Sequence, residues 1–271
     1  MDAQWSDDFH HALHAALTGE RAGYYADFGS LAQLAKSLRQ AFVYDGVYSP
    51  HRRRRHGRTP AGIPPTRFLG YLQNHDQIGN RAQGERSSML LSDGLLKVAA
   101  AVVLLGPSVP MLFQGEEWGA STPFQYFTDH DDPELGKAVT EGRRREFASF
   151  GWDPEEVPDP QDPETFRRSK LRWDEVSEPR HAGLLEWHRG LIQLRRSLPA
   201  PAADVSVDFD EDARWLVLSR GPLTLAANLG QAAVVVPVGA GKVVLASSDA
   251  TPAGDGRSEL APESAIVLLD P

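Results

Sequence analysis

An α/β fold is predicted for residues 1–199, a portion of a (β/α)8 TIM barrel, followed by a small all-β antiparallel sandwich over residues 200–271. Three observations carry this prediction. Before residue 200, short apolar runs alternate with helix-patterned segments. One apolar run, residues 68–72, passes straight into the polar string Gln-Asn-His-Asp-Gln-Ile-Gly-Asn-Arg, and strand tips of (β/α) barrels are where such polar groups gather. After residue 199 the helical pattern stops, and short β-type runs follow, punctuated by Gly, Pro and Asp.

Taken in order, residues 3–5 read as the end of a strand, and Ser6-Asp7-Asp8 supplies N-cap chemistry for a helix over 9–17 that Gly19 closes. A second helix is expected over 30–41, with Leu31, Leu34, Leu38 and Phe42 near helical spacing. Residues 49–66 are basic and proline-rich and read as irregular. A strand over 68–72 leads to the His-Asp string, which turns on Gly79. A buried helix over 92–105 ends at Gly106-Pro107, and a short buried strand over 109–114 carries Gly115-Glu116-Glu117-Trp118-Gly119 at its tip. Residues 120–176 are polar, with several Asp-Pro steps, and read as an insertion over the barrel mouth. Residues 184–198 form a strong amphipathic helix. Strands are expected at 214–218, 223–229, 233–238, 242–246 and 265–269.

This gives three strand–helix pairs where a barrel has eight, and three-eighths of a barrel leaves sheet edges and apolar faces uncovered. The expectation is the C-terminal part of a longer protein, or a truncated reading frame.

A net charge of −9 argues against nucleic acid or an anionic membrane as partner and fits a soluble cytoplasmic enzyme acting on a neutral substrate. With no cysteine there is no disulfide framework and no thiolate chemistry, which suits a reducing compartment. The first eight residues lack the basic and apolar regions of a signal peptide. The apolar stretch 95–105 contains Lys97 and falls short of the ~20 residues a membrane span requires.

The string from Gln73 to Arg81, placed after a strand, resembles the α-amylase superfamily (glycoside hydrolase family 13), whose strand 7 ends in such a His-Asp pair. The resemblance implies that residues 1–199 hold about strands 6–8 of the barrel. It implies that Asp76 is the transition-state stabiliser, holding hydroxyls of the distorted sugar, and that His75 binds a hydroxyl. Within the superfamily, Trp5-Ser6-Asp7-Asp8-Phe9-His10-His11 and the form Asn-His-Asp-Gln-Ile-Gly-Asn-Arg are similar to the branch acting on malto-oligosyltrehalose. That similarity extends through residues 113–119, 124–130 and the C-terminal sandwich. It implies retaining hydrolysis of the α-1,4-glucosidic bond next to the terminal trehalose, with release of trehalose. Substrate-binding positions would be Trp5, Asp7, Asp8, Phe9, His10, His11, His75, Gln77, Ile78, Gly79 and Asn80. Competing readings are another α-glucan enzyme, such as a branching enzyme or amylase, and a non-catalytic glucan-binding fragment.

Retaining hydrolysis also needs a nucleophile and a general acid. The family's Gly-Phe-Arg-x-Asp-Ala motif for the nucleophile and its strand-5 Glu do not occur in residues 1–271. The chain is therefore expected to be inactive by itself, its partners being an α-glucan and the N-terminal part of the same enzyme. Glu116 and Glu117 at the next strand tip read as structural.

His10 and His14 lie four residues apart on one helix face, and with Asp7 they raise a metal reading. A polar sugar-cleft lining is favoured, and no metal or cofactor is expected. Arg52 to Arg55 read as a solvated loop. Trp5, Trp118, Tyr126 and Phe127 are candidates either for stacking on sugar or for core packing, and Trp187 reads as core.

Overall fold

A computed structural model describes residues 2–149, 153, 155–199 and 205–270. In chain order the elements are β1 (Gln4–Trp5), α1 (Asp7–Thr18), α2 (Leu31–Gln40), β2 (Asp45–Ser49), β3 (Arg54–Gly57), β4 (Phe68–Gly70), α3 (His75–Gly79), α4 (Ser87–Leu90), α5 (Asp93–Leu105) and β5 (Val109–Pro110). Then come α6 (Pro133–Ser149), α7 (Pro163–Arg168), α8 (Pro179–Ser197) and eight strands. The strands are β6 (Val205–Asp210), β7 (Trp215–Arg220), β8 (Leu223–Asn228), β9 (Val234–Pro237), β10 (Lys242–Ala246), β11 (Ala250–Gly254), β12 (Arg257–Leu260) and β13 (Ser264–Leu269). Among the described residues, no helix is long and apolar enough to cross a membrane.

The contacts divide the chain into two compact units, one of residues 1–72, 91–111 and 186–271, the other of residues 73–90 and 112–185. The boundary expected between residues 199 and 200 falls beside residues 200–204, which lie outside the described residues.

In the first unit, β1, β4 and β5 form a three-stranded parallel sheet, with Gln4 opposite Phe68 and Leu69 opposite Val109. Capping follows the sequence closely. Ser6 Oγ accepts from the Phe9 amide, and Gly19 closes α1 in the left-handed conformation. Ser30 and Gln33 form a capping box on α2. The last expected barrel strand is shorter than its apolar run: only Val109 and Pro110 pair, and Val109 is 40% exposed rather than buried.

Residues 49–66 are also more ordered than their composition suggests, because β2 and β3 form an antiparallel hairpin. Its anchor is Asp27, which accepts from Tyr44 Oη at 2.7 Å, the Ser49 hydroxyl and the His51 amide. Gly57 has φ +77°, and a Cβ there would sit 1.8 Å from the Tyr44 carbonyl oxygen. Glycine is required at that position.

The C-terminal strands form two antiparallel sheets, ordered β10-β13-β8-β7-β6 and β11-β12-β9. Val217, Ala226, Ile266 and Leu268 from the first pack with Val236, Val238 and Leu260 from the second, giving the expected sandwich. The sequence reading misses β6, β11 and β12: β11 and β12 lack a clear apolar alternation, whereas Val205, Val207 and Phe209 of β6 do alternate with Ser206, Asp208 and Asp210.

Helix α5 packs against β8 and β13. Ser92 caps its N-terminus through the Leu95 amide, and its C-terminal carbonyls are met by two arginines. Arg195 of α8 donates to the carbonyls of Leu104, Gly106 and Ser108 at 2.6–2.9 Å, and Arg220 of β7 donates to Leu105 at 2.6 Å.

In the second unit, the polar segment 120–176, expected as an insertion with no elements assigned to it, contains α6 and α7. Arg86 is fully buried, donates to the carbonyls of Thr122 and Gln114 at 2.7 Å, and lies over the rings of Phe113 and Phe124. Trp118 is buried with its indole N–H on Glu175, so it is a core residue.

Removing Arg195 leaves enclosed carbonyls without donors. Arg195→Met is expected to lower stability by about 3 kcal/mol in urea unfolding, while Arg196→Met, on the exposed neighbouring residue, changes it by less than about 0.5 kcal/mol.

Candidate active site

The first unit gathers the N-terminal motif around Tyr71, the residue after β4. Its ring is fully buried, its hydroxyl donates to Asp7 Oδ1 at 2.5 Å, and Trp5 packs edge-on against it with centroids 5.9 Å apart. Trp5 keeps 43% of its surface exposed, and Asp7 is exposed as well. The Tyr71 hydroxyl thus fixes a carboxylate that still faces solvent.

His10 faces inward and stacks on Tyr71 at 5.9 Å. Its Nδ1 lies 2.6 Å from the Leu72 carbonyl oxygen and its Nε2 lies 2.8 Å from Tyr25 Oη. A carbonyl only accepts, so Nδ1 carries the proton and Nε2 accepts from the tyrosine. Burial, reinforced by the charges of His14 and His11, holds the pKa of His10 well below the ordinary histidine value. With both nitrogens committed, His10 is not disposed to bind a metal. His14 is bonded to Glu20 Oε2 at 2.7 Å. Among the described residues, no group of three His, Asp or Glu is arranged to hold a metal ion.

His11 is half-buried, and burial pushes its pKa down to about 4 against the opposing charge of Asp7. Asp8 turns its carboxylate to the amides of Val43 and Tyr44, both at 2.7 Å, and so fastens the chain after α2. Phe9 is buried next to Gly70, whose Cβ, if it had one, would come within 3.3 Å of the phenyl ring.

The second unit holds the His-Asp string as a one-turn helix rather than an open turn. Asn74 Oδ1 accepts from the amides of Asp76 (2.8 Å) and Gln77 (3.3 Å), and Gln77 Oε1 accepts from the Asn74 amide. This box buries Gln77 together with Ile78 and Gly79, and leaves His75, Asp76 and Asn80 exposed. Asn80 Nδ2 donates to Asp76 Oδ1 at 3.0 Å. From α6, Arg143 donates to Asn80 Oδ1 at 3.1 Å and to the Gly79 carbonyl at 2.5 Å.

Three residues that organise these motifs escape the sequence reading. Tyr71 is hidden in an apolar run, Tyr25 in a loop, and Arg143 in a polar helix whose arginines look interchangeable. Only the Tyr24-Tyr25 pair close to a histidine-rich helix offers a signal.

A domain model described as a domain of unknown function (DUF3459) matches residues 200–267. Across its whole length the chain is 52% identical to malto-oligosyltrehalose trehalohydrolase from Rhizobium sp. strain M-11, covering 46% of that protein. It is 50% identical to the trehalohydrolase of Mycobacterium tuberculosis strain CDC 1551, over 99% of this chain and 47% of that one.

The chain corresponds to the C-terminal part of malto-oligosyltrehalose trehalohydrolases. It spans about half the length of the curated relatives it matches. Among solved structures, a Salmonella typhimurium protein described as an α-amylase superposes with a TM-score of 0.86 at 37% identity, over 99% of this chain and 47% of that one. An α-amylase from H. orenii, 16% identical with a TM-score of 0.53 over 100% of this chain and 49% of that one, shares the fold.

Glu116 follows β5 in the chain and is buried. Burial pushes its pKa up to about 8, with Glu117 acting in the same direction; the Phe113 amide, Gln73 and Arg86 oppose the shift. The folded protein therefore keeps a proton that the unfolded chain releases above about pH 4.5, and stability falls as pH rises from there to about 8. Glu116→Gln removes that dependence while keeping an acceptor oxygen. Its stability relative to wild type is expected to be at least about 1 kcal/mol more favourable at pH 8 than at pH 5, measured by urea unfolding.

Proposed function

We propose that the chain forms the strand 6–8 portion and C-terminal sandwich of a retaining α-glucan hydrolase, one that cleaves the α-1,4 bond next to the terminal trehalose of malto-oligosyltrehalose. The observation that carries this reading is Asp76: an exposed carboxylate in the first turn of a capped helix directly after β4, tethered by Asn80. Identity of 50–52% with trehalohydrolases over nearly the whole chain supports the choice of substrate.

In this reading Asp76 accepts hydroxyls of the distorted sugar and offsets positive charge as the glycosidic bond breaks. His75, exposed beside it, shares a hydroxyl. Trp5 offers an aromatic face for a sugar ring, and Asp7 holds hydroxyls with an oxygen position fixed by Tyr71. Asp8, Phe9 and His10 in the first unit, and Gln77, Ile78 and Gly79 in the second, hold the groups of their own motif in place. Nucleophile and general acid come from outside residues 1–271, so the 271-residue chain binds glucan without cleaving it.

Trehalose release from maltotriosyl-trehalose tests the reading. The 271-residue chain by itself is expected to release none and to bind the sugar measurably. In an enzyme of the relatives' full length carrying these residues as its C-terminal part, Asp76→Asn is expected to lower kcat by about 10³-fold with the fold intact, and His75→Ala by less. A variant of Asp76 keeping more than a tenth of the wild-type rate removes it from the mechanism.

A further inference from the structure

We propose that Arg143 is a positioning residue for Asp76, acting through the side-chain amide of Asn80. The inference rests on the reading of Asp76 given above and concerns a residue on α6, far from the motif in sequence.

Helix α3 has five residues, too few to be stable by its own backbone bonds. Its N-terminus is held by the Asn74–Gln77 box. Its C-terminus is held by Arg143, whose guanidinium reaches both the Gly79 carbonyl and Asn80 Oδ1. Two-point contact from one planar fork fixes position and orientation together, which a lysine ammonium does not do.

The amide of Asn80 makes this contact matter for Asp76. Asn80 can present either its NH₂ or its oxygen to the carboxylate, because the two ends of a carboxamide have nearly the same shape. Only the NH₂ binds Asp76; the oxygen would repel it. Arg143 carries donors and no acceptor, so it claims the oxygen and turns the NH₂ toward Asp76 Oδ1. A cation on α6 thereby sets the rotamer and hydrogen bonding of an exposed carboxylate that it does not touch.

Arg143 is itself held firmly. Its side chain is 11% exposed, with its guanidinium carbon 4.6 Å from the Tyr126 ring centre and 4.7 Å from that of Phe147. Glu146 lies 3.6 Å from Nη1. Phe147 belongs to a small core with Ala82 and Val157, so the anchor is packed rather than solvated. Among the described residues, Arg145 makes an exposed contact with Glu141 at 3.8 Å, which sets Arg143 apart from its neighbour.

The test is steady-state kinetics on maltotriosyl-trehalose with the full-length enzyme containing these residues. Arg143→Lys is expected to lower kcat about ten-fold or more while KM changes less than about two-fold, since misplacing a charge-stabilising group costs turnover. In an Asp76→Asn background the same substitution is expected to have less than about a two-fold effect, because the group it positions is already gone. Equal losses in both backgrounds, or an unchanged kcat, overturn the proposal. Should Arg143→Lys fail to fold, Asn80→Ala at an exposed position breaks the same connection and is read by the same cycle. If Asp76→Asn alone leaves the rate intact, the reading of Asp76 has failed, and the role of Arg143 fails with it. If Asp76→Asn abolishes turnover and the Arg143 and Asn80 variants do not lower it, only the positioning role is wrong. On the 271-residue chain, Arg143→Lys is expected to shift the Asn80 side-chain amide resonances. An unchanged amide pair overturns the proposed contact.

Discussion

Helix α5 sets the terms for everything packed around it in the first unit. Ten of its residues, from Leu95 to Leu105, are buried, so it is apolar all round and has to be enclosed. Enclosure includes its C-terminal carbonyls, which no longer have water available. Gly106 continues in an extended conformation and offers no left-handed cap, so the donors have to come from elsewhere in the chain. Arg195 and Arg220 supply them, one from α8 and one from β7. Burial depresses both arginine pKa values, that of Arg195 to about 10, with Arg220 adding to the effect. Each remains a cation at neutral pH and suits the negative end of the helix dipole. The connection from β4 to β5 and the sandwich strand β7 thus share one helix terminus, which explains why the sandwich groups with the parallel sheet rather than standing apart.

A second tie reinforces this from the other side. Glu211, in the turn after β6, accepts from the Leu31 amide with both carboxylate oxygens, at the N-terminus of α2. A negative group at a helix N-terminus and positive groups at a helix C-terminus are the same electrostatic device used twice. Both involve residues of the C-terminal sandwich. Its family model carries no functional description, and its clearest physical role here is to close the ends of helices that precede it.

Much of this was legible in the sequence because the relevant signals are local. Ser6 caps the helix it was expected to cap, Ser30 and Ser92 stand at the starts of the helices expected from them, and the amphipathic and apolar helices appear where their periodicity places them. The hairpin β2–β3 was not legible, since four arginines and several prolines mask it. What makes it fold is Asp27, some twenty residues earlier, and no local pattern reports such a contact. The helices inside 120–176 were lost for a related reason. Asp-Pro steps suggest loop, yet Asp162 caps α7 with Pro163 at its first position, so the same dipeptide also starts helices. Among the motif residues, exposed groups such as Asp76 and Trp5 stood out by residue type. Arg143 did not, because its importance lies in the two oxygens it reaches.

The helical period itself sorts the motif residues into different roles. On α1, Asp7 and His11 are four residues apart and stay at least partly accessible, while His10 and His14, also four apart, turn inward. On α3, Asp76 and Asn80 share the exposed face while Gln77 and Ile78 are buried. A contiguous string of polar residues is therefore two interleaved sets, one available to a ligand and one that builds the support. Within the inward set, burial holds the His10 pKa well below its ordinary value and a carbonyl and a tyrosine hydroxyl satisfy its ring, while Gln77 carries no charge at all. Each motif presents an outward carboxylate, Asp7 on one and Asp76 on the other. Both carboxylates are held by a donor that is fixed in turn, Tyr71 for Asp7 and Asn80 for Asp76. Under the proposed function, a carboxylate so oriented before substrate arrives needs little reorganisation when positive charge develops on a sugar.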